Sequence, residues 1–547
     1  MLRIRDLKFN FNIWSVLSFI FISLIVLPNL NILINILNHP NENWNHIKEY
    51  LLKDYIFNSV ILVIFTGIFT ILIGVSLSWI ISVYDFPFRR FFKWGLVLPL
   101  AIPPYIAAYT YNGLLNYTGV IQSFLRNNFH IRVNQKYFDV MSAQGAVFIF
   151  TMFLFPYVYI ITKSFFEKQS ASLIENGRVL GRSSLEIFLY VALPISRTAI
   201  VGGVSLVILE VLNDYGVVKY FGIPTFSTAI FKTWFAMGDI DSAIRLSASL
   251  MFMIFCILTL EKFLRGRKQF SYTTSKVRPI SRIELKGSKK ILAFTFCFSI
   301  FSLGFIIPTL QLIHWSLLTY RKILNTKFLT MISNSLIIAL LSSGIIIILA
   351  VIIANNCRIS KGPLSKIYSK IIVMGYSIPG AVIAIAVIVF FVALDNKLYW
   401  LYRMINDTSS KLVLSTSIVM LIFAYVIRFL AIGYNSIESG FEKVGKKFFE
   451  ASRTLGMNIT ETFFKVDFKM IRHAILGGFL LVFVDILKEL PLTLILRPFN
   501  FNTLATKSFE YANDEMIHEA AVSSLIIIII SVILIYFFYK IGDKEAT

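Results

Sequence analysis

Five ionisable residues interrupt otherwise apolar stretches of this sequence: Glu210 and Asp214 in one, and Asp485, Lys488 and Glu489 in another. A charged side chain inside a stretch of membrane-spanning length is costly, and it marks a functional position by default. Each acid pair has i, i+4 spacing, which on a helix puts both carboxylates on one face. At 1.5 Å per residue, Glu210 lies about 20 Å along a helix from Arg197, well towards the outer leaflet. Four acids lining the outer half of a shared pore would suit a cation. The alternative is that they hydrogen-bond between helices, with Lys488 neutralising its neighbours.

Other chemistry is absent or incomplete. The run from Gly440 to Lys446 fits the G-x4-G-K pattern of a phosphate loop. Lys447 stands where a Ser or Thr would hold magnesium, however, and a membrane helix precedes it instead of a strand. The six histidines (His39, His46, His130, His314, His473 and His518) show no ligand spacing. No nucleophile is placed with a base. We therefore expect no catalytic residue, no metal site and no cofactor bound by this chain.

The elements that position these residues are membrane helices. Of 547 residues, 57% are apolar and only 15% charged, and the mean hydropathy is +0.74. A soluble domain needs more charge than that at its surface. A span needs about 20 apolar residues. That length predicts helices near 13–36, 56–82, 94–116, 141–162, 198–217 and 241–260, then near 290–312, 331–355, 370–395, 411–432, 474–496 and 519–539. The fold class is an all-α integral membrane protein of about twelve helices. The net charge of +22 sits in short loops such as Arg89, Arg90 and Lys93, Arg358 to Lys370, and the segment 261–290. Twelve spans put these loops on one side, facing anionic lipid, with both termini cytoplasmic. Arg126, Arg132 and Lys136 fall on the other side, so the rule is a bias. Basic residues dispersed in this way do not make a nucleic-acid surface.

The chain also repeats itself, an observation that reorganises everything else. Residues 175–250 align with 450–525 without a gap: Glu175 meets Glu450, Arg178 meets Arg453, Leu180 meets Leu455, Gly181 meets Gly456, and Gly202-Gly203 meets Gly477-Gly478. The same alignment puts Glu210 opposite Asp485 and Asp214 opposite Glu489. Shifted by one residue, it pairs Asn58-Ser59 with Asn334-Ser335 and Ile102-Pro103 with Ile378-Pro379. The reading is two parallel six-helix halves, 1–260 and 291–547, joined by a basic cytoplasmic linker at 261–290. Pro103-Pro104 and Pro379-Gly380 are places where helices can bend, because proline leaves a carbonyl unpaired.

The strongest identities lie in polar stretches between the fourth and fifth helix of each half, Glu175–Arg197 and Glu450–Arg472. Both resemble the "EAA" coupling loop of binding-protein-dependent ABC importer permeases: a Glu, small residues, and a Gly six positions on. The resemblance implies a helix, a turn at Gly181 or Gly456, and a second helix that docks on a separate cytoplasmic ATPase. Glu175, Arg178, Leu180 and Gly181, with Glu450, Arg453, Leu455 and Gly456, would be the coupling residues. An acid suits a helix N-terminus, glycine suits a tight bend, and Val179, Leu180, Leu455 and Phe463 offer apolar surface. The second copy departs from the family pattern. It has Phe468-Lys469 where the first has Leu193-Pro194, which suggests unequal grip on the ATPase.

The stretch Leu209–Phe235, with Tyr84–Pro87 and Leu98–Pro103, resembles the ferric-iron branch of that family. The resemblance implies a fused permease in the bacterial inner membrane, two ATPase copies holding ATP and magnesium, and a periplasmic binding protein delivering ferric iron. Thiamine permeases share the fused architecture and remain an alternative cargo class. A twelve-helix secondary transporter is the rival from another class. It would lack a docking loop repeated in both halves.

Overall fold

The computed structural model describes residues 12–35, 39–131, 133–168, 177, 179–265, 282–360, 362–406 and 410–546. Glu175, Arg178 and most of the linker lie outside them. The chain is helical nearly throughout, as it must be where hydrocarbon offers no partner to an open N–H or C=O. Among the described residues nine helices are long and apolar enough to cross a membrane, or up to eleven if each of two bent pairs is one span. Ile13–Pro28 is a further, shorter apolar helix.

In chain order the first half holds α1 (Ile13–Asn35), α2 (Glu42–Val83), α3 (Arg89–Ala101), α4 (Pro104–Leu115), α5 (Ala143–Lys168), α6 (Ser184–Ile195) and α7 (Arg197–Asn213). Two short helices, α8 (Gly216–Tyr220) and α9 (Phe226–Phe231), lead to α10 (Ile240–Arg265). The second half repeats the order. It holds α11 (Ser288–Ile323), α12 (Thr326–Ile359), α13 (Pro363–Ser377), α14 (Gly380–Ile405), α15 (Ile418–Val444), α16 (Lys447–Thr454) and α17 (Ile459–Leu487). The short α18 (Pro491–Leu496) and α19 (Leu504–Asn513) follow, and α20 (Ile517–Ala546) ends it.

The prolines break the helices where expected. The axis turns by 90° between α3 and the segment starting at Pro104, and Pro379 separates α13 from α14. Two predicted spans end early: α7 stops at Asn213 and α17 at Leu487. Each is followed by an acid that caps the next short helix. Pro491, which cannot donate, fits the first turn of α18.

Each half is built on a three-helix core, α2, α5 and α7 in the first and α12, α15 and α17 in the second. Membrane helices attract one another through close packing, so small residues belong at their contacts. A Cβ on Gly74 of α2 would lie 2.9 Å from Val158 Cβ and 3.1 Å from the Phe155 carbonyl oxygen. A Cβ on Gly203 of α7 would come within 2.8 Å of Val158 Cα, and one on its repeat partner Gly478 within 3.0 Å of Ser436 Cβ. The first helices reach across: α1 lies against α12, α13 and α14 of the other half, while α11 packs mainly on α20 of its own half and also lies against α3 and α4. The one sheet among the described residues is a two-residue parallel pairing of Tyr84–Asp85 with Ile283–Glu284, at the end of the linker. Gly74→Val forces α2 off α5 and should destabilise the protein by about 1–3 kcal/mol. Thermal unfolding of the detergent-solubilised chain measures this, and an unchanged midpoint would contradict the packing.

Candidate functional site

Among the described residues the two polar stretches share a turn and a helix cap, although the first then bends by 71° between Ile195 and Arg197 where the second runs on as one helix to Leu487. Gly181 and Gly456 have φ of +75° and +87°, in the left-handed region that glycine enters without penalty. The N–H of Arg182 donates to the Gly177 carbonyl at 3.1 Å, and that of Met457 to the Ser452 carbonyl at 3.2 Å. In the second copy the Gly456 N–H also donates to the Arg453 carbonyl at 3.1 Å, completing a Schellman turn. The next helix starts in both copies with a reciprocal cap. The Ser183 N–H donates to Glu186 Oε2 at 2.8 Å and the Glu186 N–H to Ser183 Oγ at 3.3 Å. Asn458 and Glu461 repeat this at 3.1 and 2.8 Å. This S/N-x-x-E signature is legible in the sequence as a helix start. A π-type turn follows in each, at Phe188–Ala192 and Phe463–Asp467.

The turns present apolar side chains outward. Val179 is 87% exposed, and Leu180 and Leu455 are each 79% exposed. Glu450 stands in the first turn of α16, as expected for an acid at a helix N-terminus, and Arg453 is exposed and donates to the Met457 carbonyl. One expectation is overturned. Phe463 is buried, with its ring 4.8 Å from that of Trp14, and its neighbour Phe464 faces outward instead. The burial depends on α1 arriving from the other half, which no local pattern announces.

The four membrane acids meet at the contact between the halves, around a cavity of about 100 Å³. Their i, i+4 relation on one helical face does not hold, because Asp214 and Glu489 lie beyond the helix ends. Asp214 accepts from the Val217 N–H at 2.8 Å, and Glu489 accepts from the Leu492 N–H at 3.0 Å. Each thus caps the short helix that follows, as acids do at helix starts. Glu210 accepts from the Tyr376 hydroxyl at 2.8 Å. Lys488 Nζ is 3.1 Å from Asp485 Oδ1 and 3.4 Å from the Leu100 carbonyl of the other half.

Sequence reasoning missed the residue at the centre, Arg428 of α15. Its guanidinium donates to Asn213 Oδ1 at 2.9 Å, an atom that also accepts from the Gly380 N–H at 2.6 Å. Its Nε lies 3.3 Å from Glu489 Oε2, an ion pair without hydrogen-bond alignment. Arg428 and Glu489 are each 6% exposed at the side chain. A lone arginine in the apolar run 418–432 was the available signal. The repeat puts Phe153 at its place in the first half and Asn213 opposite Lys488, so both cations come from the second half.

A larger cavity of about 1080 Å³ runs from this cluster towards the end that bears the two turns. Tyr157, Tyr376 and Asp485 line both cavities, and Lys443, Phe448 and Met470 line its far end. Ser205, Ser377, Asn435, Ser436 and Ser439 give its wall hydroxyl and amide groups. The passage is wide at the turn-bearing end and constricted at the polar cluster. Among the described residues no three His, Cys, Asp or Glu side chains converge as a metal-binding group.

A family model described as "Binding-protein-dependent transport system inner membrane component" matches residues 134–260 and 346–546, more than half of the chain. The Fe(3+)-transport system permease protein FbpB 2 of Haemophilus influenzae is 26% identical over 474 residues, which cover 86% of each chain. The sulfate transport system permease protein CysT of Salmonella typhimurium is 28% identical over 157 residues, 29% of this chain and 53% of that one. The maltose/maltodextrin transport system permease protein MalF of Vibrio vulnificus is 26% identical over 150 residues, 27% and 28% of the two chains.

Arg428→Met should leave Glu489 buried without its cation and cost about 3–5 kcal/mol of stability. Adding Glu489→Gln should recover most of that loss in a thermal unfolding assay. No recovery in the double variant would mean the two side chains are not coupled.

Proposed function

The chain belongs to the family of binding-protein-dependent transport system inner membrane components, and from that premise we propose that it is the fused permease of a ferric-iron importer driven by a separate ATPase. It is a transport subunit and not an enzyme. The observation that carries the ATP-driven reading is the repeated turn, with the same hydrogen bonds, the same left-handed glycine and the same outward leucine in both halves. A single exposed helix end would be ordinary. Two such turns, one in each half, suit a pair of identical partners. We assign the partners as two copies of a cytoplasmic ATPase, with ATP and magnesium held there, and the turn-bearing end as cytoplasmic with both termini.

In this reading the wide cavity opens to the cytoplasm and the polar cluster is the closed outer gate. ATP binding draws the two ATPase copies together, and the turns move with them. The halves then rock, which narrows the inner cavity and parts Arg428 from Asn213 and Tyr376 from Glu210. A periplasmic binding protein delivers cargo to the opening so formed. Opening exposes four carboxylates against two cations, a lining that favours a cation passing through. The similarity to FbpB 2 over most of both chains supports iron as that cargo. Sulfate is the second reading, supported by the shorter CysT match.

The test is uptake into proteoliposomes holding the chain with its ATPase, supplied with binding protein loaded with radioactive iron or sulfate. Iron uptake that needs ATP supports the assignment, and sulfate uptake alone would refute it. The turn itself gives a sharper prediction. A Cβ at Gly181 or Gly456 meets nothing within 4 Å, so valine there costs only backbone strain, about 1–3 kcal/mol at each site. Gly181→Val with Gly456→Val should leave the membrane bundle folded and lower ATP-driven uptake by about tenfold or more. Undiminished uptake would remove the turns from the coupling path.

A further inference from the structure

The two turns fold alike but are fastened to the bundle by different physics. In the second half Arg358, near the end of α12, grips Asp467 of the π-type turn through both nitrogens. Its NH1 donates to Oδ1 at 2.9 Å, its NH2 donates to Oδ2, and NH2 also donates to Asn355 Oδ1 at 3.2 Å. The side chains are 8% and 1% exposed. The guanidinium lies over two rings, Phe441 of α15 at 4.3 Å and Phe449 of α16 at 4.9 Å. A second fastener comes from the other half. Trp14 packs on Phe463, and its indole N–H donates to Thr460 Oγ1 at 3.3 Å.

Among the described residues the first half shows neither at the matching positions. The repeat sets Ser82 opposite Arg358, Trp79 opposite Asn355 and Ala192 opposite Asp467. Lys289, the second residue of α11 as Trp14 is of α1, is exposed. Here the first turn rests on an apolar cluster. Trp79 packs at 5.5 Å from Phe166 and 5.3 Å from Phe188, with Ile187 and Ala192 buried beside it and Ile283 of the linker against it.

These anchors respond differently to force. A bidentate ion pair away from water is directional, and separating it strands two charges. Apolar contact has no preferred direction and allows neighbours to slide. The ion pair therefore fixes α12, α15, α16 and α17 into one body. That body carries Arg428 on α15 and Asp485 on α17, with Lys488 and Glu489 just beyond its end, so both cations of the polar cluster move with the second turn.

We propose that the Arg358–Asp467 pair is a positioning device that makes the second turn the one through which the ATPase moves the gate, while the first turn follows. The proposal rests on the importer reading. Its consequence is that two halves of one fold would have unequal shares in coupling, decided by one ionic contact.

The experiment uses the full chain with its ATPase and binding protein in proteoliposomes, and reads ATP hydrolysed per solute transported. Asp467→Asn strands Arg358 and could unfold the region, so the deciding variant is Arg358→Met with Asp467→Leu. It replaces the pair by the apolar kind of anchor found in the first half, which proteins tolerate. The expected result is an unchanged unfolding temperature with about tenfold more ATP hydrolysed per solute. Trp79→Leu, at the first anchor, should raise the ratio by less than about twofold. An unchanged ratio in the double variant, or an equal rise in Trp79→Leu, overturns the asymmetry. If the wild type transports on ATP in that experiment, the importer reading stands regardless. A wild type that ignores ATP overturns both.

Discussion

A polar group inside hydrocarbon must find its partner within the protein, and the contact between the two halves is organised by that requirement. Arg428 is the clearest case. It sits in the second half, reaches Asn213 of the first, and neutralises Glu489 of its own. Around it, Tyr376 holds Glu210, Lys488 holds Asp485, and Asp214 caps a short helix with the same atoms that would otherwise carry an uncompensated charge. The outcome is a closed polar plug whose bonds cross the interface. Separating its members would leave buried charges without partners, which is costly. In the proposed reading the plug is the gate, which parts only when the halves move relative to one another.

The same two halves are interlocked through their first helices: α1 lies on the second half, and α11, packed on α20, also reaches the first. Such interlocking would hold the halves together while the polar contacts between them change in the proposed rocking motion. In the proposed importer the wide cavity below the plug and the two outward turns belong to one device. Movement imposed on the turns would, in that reading, be carried through rigid helices to the plug. The wall of that cavity sets four serines and Asn435 among mostly apolar side chains.

Much of this was legible in the sequence, and the reasons are physical. Span positions follow from the length of apolar runs, and the bends at Pro103-Pro104 and before Gly380 follow from a missing N–H. The turns at Gly181 and Gly456 follow from a glycine at a fixed place in a repeated segment. What stayed hidden depended on distant chain. That Phe463 is buried and Phe464 exposed is decided by Trp14, some hundreds of residues away. The i, i+4 argument placed Asp214 and Glu489 on a helical face, but each prefers to accept from the backbone three residues on, which ends the helix before it. Arg428 was visible as a lone charge, yet its meaning lies in Asn213, which only the fold brings beside it.

The account stands or falls on whether the chain works with an ATPase. Purification of the tagged full-length chain from gently solubilised native membranes, with identification of what accompanies it, asks this directly. The account predicts that an ATPase co-purifies at two copies per chain and that the assembly takes up solute only with ATP. A chain recovered alone, fully active in uptake driven by an ion gradient, would contradict it.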